Sequence, residues 1–128
     1  HMTGIRRFED GIAWQKARVL TSDVYRVSGK GNFSRDFALR DQIRRAAISV
    51  MSNIAEGFDR YSRPEFKQFL SFACGSVAEV RSQLYIAADL GYVDIATFGR
   101  MKAQCEEASR LIAAMRAKIS NQTSANAG

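Results

Sequence analysis

Four stretches of this chain repeat apolar residues at intervals of three and four, and that spacing points to a bundle of amphipathic helices. In the first, between about Phe8 and Ser28, the stripe is Ala13, Ala17, Leu20, Val24 and Val27. The second, about Asp36 to Phe58, repeats Leu39, Ile43, Ala47, Val50 and Ile54. The third carries Phe66, Ala73, Val77, Val80, Leu84 and Ala87, and the fourth Phe98, Cys105, Ala108, Ile112, Met115 and Ile119. No alternating β-branched run competes, so a sheet is not expected.

The breaks between stripes carry turn chemistry. SGKGN brings Gly29 and Gly31 to the end of the first helix, where a positive backbone angle stops it. Gly57 lies at the end of the second. In SRPE, Ser62 can accept from a free amide, Pro64 needs no amide partner in the first turn, and Glu65 completes a capping box. Gly91 stops the third helix after Leu90, and Asp94 caps the fourth. The connections are short, about three to seven residues, so an all-α, antiparallel up-down-up-down four-helix bundle over residues 8–120 is expected. Residues 1–7 read as an N-terminal arm beginning with a cloning remnant, His1-Met2, and residues 121–128, NQTSANAG, as a disordered tail.

A chain of 128 residues with 46% apolar content and one proline is expected to form one domain. No apolar run reaches the roughly 18 residues of a membrane span, no secretion signal is evident, and a cytoplasmic protein is expected. Cys74 and Cys105 lie in helix-like patterns without a CxxC spacing and read as small core residues, not a disulfide or metal pair.

Catalytic templates find little support, and no enzyme, cofactor or metal is expected. A di-iron bundle needs Glu-x-x-His pairs, and the single histidine is His1. Neither cysteines nor serines have a nearby base, and GKGNFS lacks the ending and preceding strand of a phosphate loop.

The second helix has a second face. Within QIRRAAISVMSNIAEG, Gln42 to Gly57, the polar residues Gln42, Arg45, Ser49, Ser52 and Glu56 also recur at helical spacing. If the second and third helices turn near Tyr61, residues whose numbers sum to about 122 lie opposite. Arg45 then faces Ser76 and Val77, and Gln42 faces Glu79. The expected result is an Arg45–Glu79 ion pair within an inter-helix polar network of Gln42, Arg45, Ser49, Asn53, Glu56, Ser76 and Glu79. The same register sets Glu56 roughly 20 Å from Glu79, too far for a carboxylate pair to share one bond.

QIRRAAISVMSNIAEG, the Ser-x-x-Glu-Phe helix start and GSVAE at Gly75 to Glu79, with FEDGIAWQKA at Phe8 to Ala17 and DLGY at Asp89 to Tyr92, resemble the 23S rRNA intervening-sequence proteins. The resemblance covers most of the chain. One departure is Phe33-Ser34, where relatives usually carry Phe-Pro, and it bears on how the second helix starts. The resemblance implies an all-α bundle that assembles into a homopentameric ring, and a link to RNA. A similar protein is the accessory factor of diversity-generating retroelements, which implies reverse transcriptase and nucleic acid as partners.

Charge fits that implication. Nineteen Lys and Arg against thirteen Asp and Glu leave +6, a balance suited to a polyanion. Residues 1–33 carry six basic and three acidic side chains and residues 100–118 five and two, whereas residues 68–99 carry one and three. The first and fourth helices are therefore the expected nucleic-acid face, through Arg7, Lys16, Arg18, Lys102, Arg110, Arg116 and Lys118. Phe69, Phe72, Ile86 and Leu90 on the third helix, and Trp14 and Tyr25 on the first, lie off the main stripes; Trp14 and Tyr25 are the expected subunit contacts. The function expected is a non-catalytic oligomeric scaffold binding RNA or RNA/DNA. The alternative is a protein–protein interaction oligomer without a nucleic-acid role.

Overall fold

Side-chain oxygens start three of the four helices, two of them, Ser62 and Asp94, as the sequence leads one to expect. In the computed structural model, which describes residues 1–127 with side chains through Asn121, Asp36 accepts from the Leu39 amide at 3.1 Å and opens α2, Phe37–Phe58. Ser62 accepts from the Glu65 amide at 3.1 Å and opens α3, Arg63–Asp89. Asp94 accepts from the Thr97 amide at 2.7 Å and opens α4, Ile95–Ala127. Each oxygen satisfies an amide that the first helical turn leaves without a partner.

The first helix behaves differently. α1 spans Ile12–Ser28 and has Gly11 before it, with no side-chain cap. Phe8–Asp10, where the apolar pattern begins, form a separate 3-10 turn. Gly11 is extended there, with Phe8 O and Ile5 Cδ1 only 3.2 and 3.1 Å from where a Cβ would lie, so the chain turns at Gly11 before the helix begins. At the other end, Gly29 keeps φ at −91°, and the positive angle falls to Gly31, φ 52°, which opens a second 3-10 turn, Gly31–Arg35.

Among the described residues the elements are all helical. The helices touch in the cycle α1–α2–α3–α4–α1, with α2 and α3 packed most extensively and α1 and α4 least. The expected stripes supply most of the core, although Val27, Phe98 and Met115 are only partly buried. Phe33, Ala46, Phe58, Leu70 and Met101 join it. The N-terminal arm is packed too: Thr3 is buried, its carbonyl accepts from Lys118 Nζ at 3.0 Å, and the His1 ring stacks on Phe58. α4 runs through Ala127, past Ser120 where the sequence pattern ends the bundle; the side chains of residues 122–127, and Gly128, lie outside the described residues. No helix among the described residues is long and apolar enough to cross a membrane.

Candidate nucleic-acid interface

The polar stripe of α2 closes around one serine. Ser76 Oγ, on α3, donates to Ser49 Oγ at 2.9 Å, and Asn53 Nδ2 donates to Ser49 O and Oγ at 2.8 and 2.9 Å. Ser76 is only 7% exposed, so this pair satisfies hydroxyls inside the α2–α3 contact. Gln42, Arg45, Glu56 and Glu79 stay exposed, and the expected Arg45–Glu79 ion pair does not form. The reason is facing and not height. The Ser49–Ser76 bond and the approach of Gly57 to Phe66 and Phe69 set opposing residues to sums of about 123–126, past the expected value of about 122, which leaves Arg45 and Glu79 nearly level. Ala46 and Ala47 of α2 and Ser76 and Val80 of α3 take the buried contact positions, so both charges lie on exposed faces.

The seven expected phosphate-binding side chains lie on α1, α4 and the arm, but they do not form one surface. Lys16 pairs with Glu107 across the α1–α4 contact at 3.5 Å, and Lys102 pairs with Glu106 at 3.9 Å while reaching over the Tyr85 ring of α3. Arg7 pairs with Asp10, and Lys118 is held by the Thr3 carbonyl. Arg116 turns toward α3, donating to Lys67 O at 3.3 Å. Arg18 lies over the Trp14 ring at 5.8 Å, and Arg110 is exposed. Helical periodicity spreads α4's basic side chains over three directions, because residues 102, 110, 116 and 118 share no common face at 100° per residue.

Trp14 and Tyr25, the expected subunit contacts, are partly engaged within the chain. Trp14 packs edge-on against Phe8 at 5.3 Å, and the Arg44 guanidinium covers Tyr25 at 4.6 Å. Arg44 also donates from Nε to Ser28 Oγ at 2.8 Å and from Nη2 to Tyr25 O at 3.5 Å. A cation thus sits at the C-terminal end of α1, where the helix dipole favours it. Sequence reasoning misses this residue, because an arginine's partner across a helix pair cannot be read from spacing.

Asp23 is the other centre that such reasoning misses. It is 8% exposed between α1 and α4, accepting from Gln104 Nε2 at 2.8 Å and Arg100 Nη1 at 3.1 Å, with Arg26 on its other oxygen. Its one sequence signal is a carboxylate set beside Leu20 and Val24 in a buried stripe. Burial, the largest single influence, pushes its pKa up, but the hydrogen bonds from Gln104 and Arg26 and the charges of Arg100 and Arg26 together hold it below the ordinary value. A carboxyl lowered on folding stabilises the fold above its unfolded pKa and loses that contribution as pH falls through the folded one. Asp23→Asn is therefore expected to cost about 1–2 kcal/mol at pH 7, since both arginines are half exposed and can turn to water. It should also make the loss of stability below about pH 4 shallower than in the parent. Urea unfolding at several pH values checks both.

Chemistry at the remaining polar groups is limited. Burial pushes the Cys105 thiol up to about 12 against the pull of Arg81, leaving a protonated core thiol. Among the described residues no three His, Cys, Asp or Glu side chains gather closely enough to hold a metal ion.

The family model of the 23S rRNA-intervening sequence proteins matches residues 9–114. The chain is similar in fold to the crystal structure of a protein of unknown function from the S23 ribosomal protein family of Bacteroides thetaiotaomicron, with a TM-score of 0.75 and 19% identity. That match covers 82% of this chain and 98% of the other. No curated protein matches the sequence.

Proposed function

The chain belongs to the 23S rRNA-intervening sequence protein family, and from that premise we propose that it is a non-catalytic, oligomeric scaffold that binds nucleic acid through basic surface. The observation that carries this reading is charge left without local neutralisation. Of the basic side chains, Arg7, Lys16, Arg26, Arg40, Arg60, Arg100 and Lys102 have a carboxylate within ion-pair distance; Arg18, Lys30, Arg35, Arg44, Arg45, Arg81 and Arg110 are among those that do not. Such a surface gains free energy by releasing the counterions of a polyanion. The first protein partner we assign is a reverse transcriptase, on the resemblance to the accessory proteins of diversity-generating retroelements, and the compartment is the cytoplasm.

The scaffold reading includes an up-down-up-down course of the chain and a ring of five copies. Phe72, Ile86 and Leu90 of α3 support self-association, being 50%, 46% and 56% exposed. Trp14 and Tyr25 serve it less well, one half-buried and the other under a guanidinium. If the ring forms through α3, light scattering gives the pentamer mass for the parent at micromolar concentration, and Ile86→Arg with Leu90→Arg reduces it to the monomer. A monomeric parent ends the ring proposal.

Binding of a labelled RNA oligonucleotide, followed by anisotropy over a salt series, tests the nucleic-acid role. Affinity should fall linearly with salt on logarithmic axes, with a slope near −2 or steeper for about three or more phosphate contacts on a single strand. No binding at low salt would refute it. The exposed α3 row favours a second reading, a protein–protein oligomer, and there a partner captured from lysate survives nuclease treatment.

A further inference from the structure

Resting on the nucleic-acid reading above, the site itself can be placed on the outer face shared by α1 and α2. On α1, Trp14, Arg18 and Tyr25 recur at i, i+4 and i+11 and share one stripe. On α2, Arg44, Arg45 and Ile48 lie beside it. The two stripes meet because Thr21 Oγ, on the same side of α1, donates to Ala47 O at 3.1 Å, while Arg44 reaches Ser28 Oγ and lies over Tyr25. Tyr25, Asp41, Arg44, Arg45 and Ile48 line an open groove there. Its one carboxylate, Asp41, is already engaged by Arg40 at 2.9 Å, so Arg44 and the exposed Arg45 have no carboxylate within ion-pair distance.

We propose that this groove carries a single strand of nucleic acid, with phosphates on Arg45 and, further along the α1 stripe, Arg18, and bases against the stacked Arg44–Tyr25 pair and Ile48. A guanidinium fork matches phosphate oxygens in two parallel hydrogen bonds. Aromatic and arginine planes accept any base, so recognition tolerates sequence. Tyr25, 42% exposed, offers that surface beside Arg44, and Arg18 over Trp14 repeats the arginine–aromatic pairing about 16 Å further along α1. Lys30 and Arg35, both exposed in the α1–α2 connection and without a carboxylate partner, extend the positive field at one end. Of the basic side chains on α1, α4 and the arm, by contrast, Lys16, Lys102 and Arg7 are paired with Glu107, Glu106 and Asp10.

The test compares two double variants of the full chain that remove equal charge, using a labelled 20-nucleotide oligouridylate and anisotropy. Arg18→Gln with Arg45→Gln removes one arginine that lines the groove and one further along the same α1 stripe, while leaving Arg44 at the end of α1. Arg110→Gln with Arg116→Gln removes two from α4. The first pair is expected to weaken binding roughly tenfold or more and to reduce the salt slope by about one to two, one unit or slightly less for each phosphate no longer neutralised. The second should change affinity less than about threefold. Tyr25→Ala should weaken binding several-fold with the slope intact, the mark of a stacking interaction. Circular dichroism melts confirm that each variant folds. Equal loss from both pairs, or greater loss from the α4 pair, overturns the groove while leaving the nucleic-acid role standing. A parent that binds no oligonucleotide at low salt overturns both.

Discussion

Phe33→Ala should lower the unfolding free energy by about 3–5 kcal/mol, a large part of the roughly 5–15 kcal/mol that holds a domain of this size. Phe33 is fully buried although it lies in the α1–α2 connection and not in a long helix. Its ring stacks on Tyr92 at 5.2 Å, and Tyr92 donates its hydroxyl to Asp36 Oδ2 at 2.9 Å. That same hydrogen bond is the main reason the Tyr92 hydroxyl titrates above its ordinary range. Asp36 uses its other oxygen to cap α2. One ring therefore ties the start of α2 to the turn between α3 and α4, and its loss leaves a cavity and loosens both. Ser34 donates to Gly31 O at 2.6 Å, so Asp36 and this serine shape the helix start. Chemical denaturation followed at 222 nm measures the effect. A loss below about 1 kcal/mol would contradict a core role for Phe33. Because Lys30 and Arg35 flank it, the same variant should blur the positive end of the α1–α2 face.

Gly57→Leu should be at least as damaging, destabilising by about 3 kcal/mol or more through overpacking. A Cβ at this buried position would lie 2.8 Å from Phe69 Cβ and 3.1 Å from Phe66 Cδ1. The first of these is the root of a side chain and moves only with its helix. α2 and α3 would have to separate at this close approach. Even Gly57→Ala should lose stability, despite gaining up to about 1 kcal/mol of helix propensity. Gly75 and Gly99 supply the internal control, since a Cβ at either meets nothing within 4 Å. Alanine there should stabilise the protein by about 0.5–1 kcal/mol. If Gly57→Ala stabilised it by the same amount, the close approach of α2 and α3 would be refuted.

These two sites mark how far the sequence can be read. The capping oxygens of Asp94 and Ser62 are legible because a cap acts within four residues of its own helix. Leu39, Ile43, Ala47, Val50 and Ile54 are legible as one buried stripe because helical periodicity is local. Phe33 is not, since burial in a connection depends on which distant turn folds over it. The candidate site is legible as an excess of positive charge, but its place is not. Arg45, which the pattern assigns to an ion pair, is an exposed side chain beside a groove, while Arg44 and Asp23 give no signal that singles them out.

The division follows from the range of the forces involved. Periodicity, turn residues and net charge belong to the chain wherever it lies, and they determined four amphipathic helices, the starts of α2, α3 and α4, and an excess of positive charge. Register between α2 and α3 depends on where Gly57 lets two backbones approach, and partner choice for each arginine depends on which helix faces it. Those contacts join residues 16 to 81 positions apart, as in Arg44 with Ser28 and Gln104 with Asp23. Only the packed tertiary structure brings such groups within hydrogen-bonding distance, and so only it decided which charges are neutralised and which are left without a carboxylate partner.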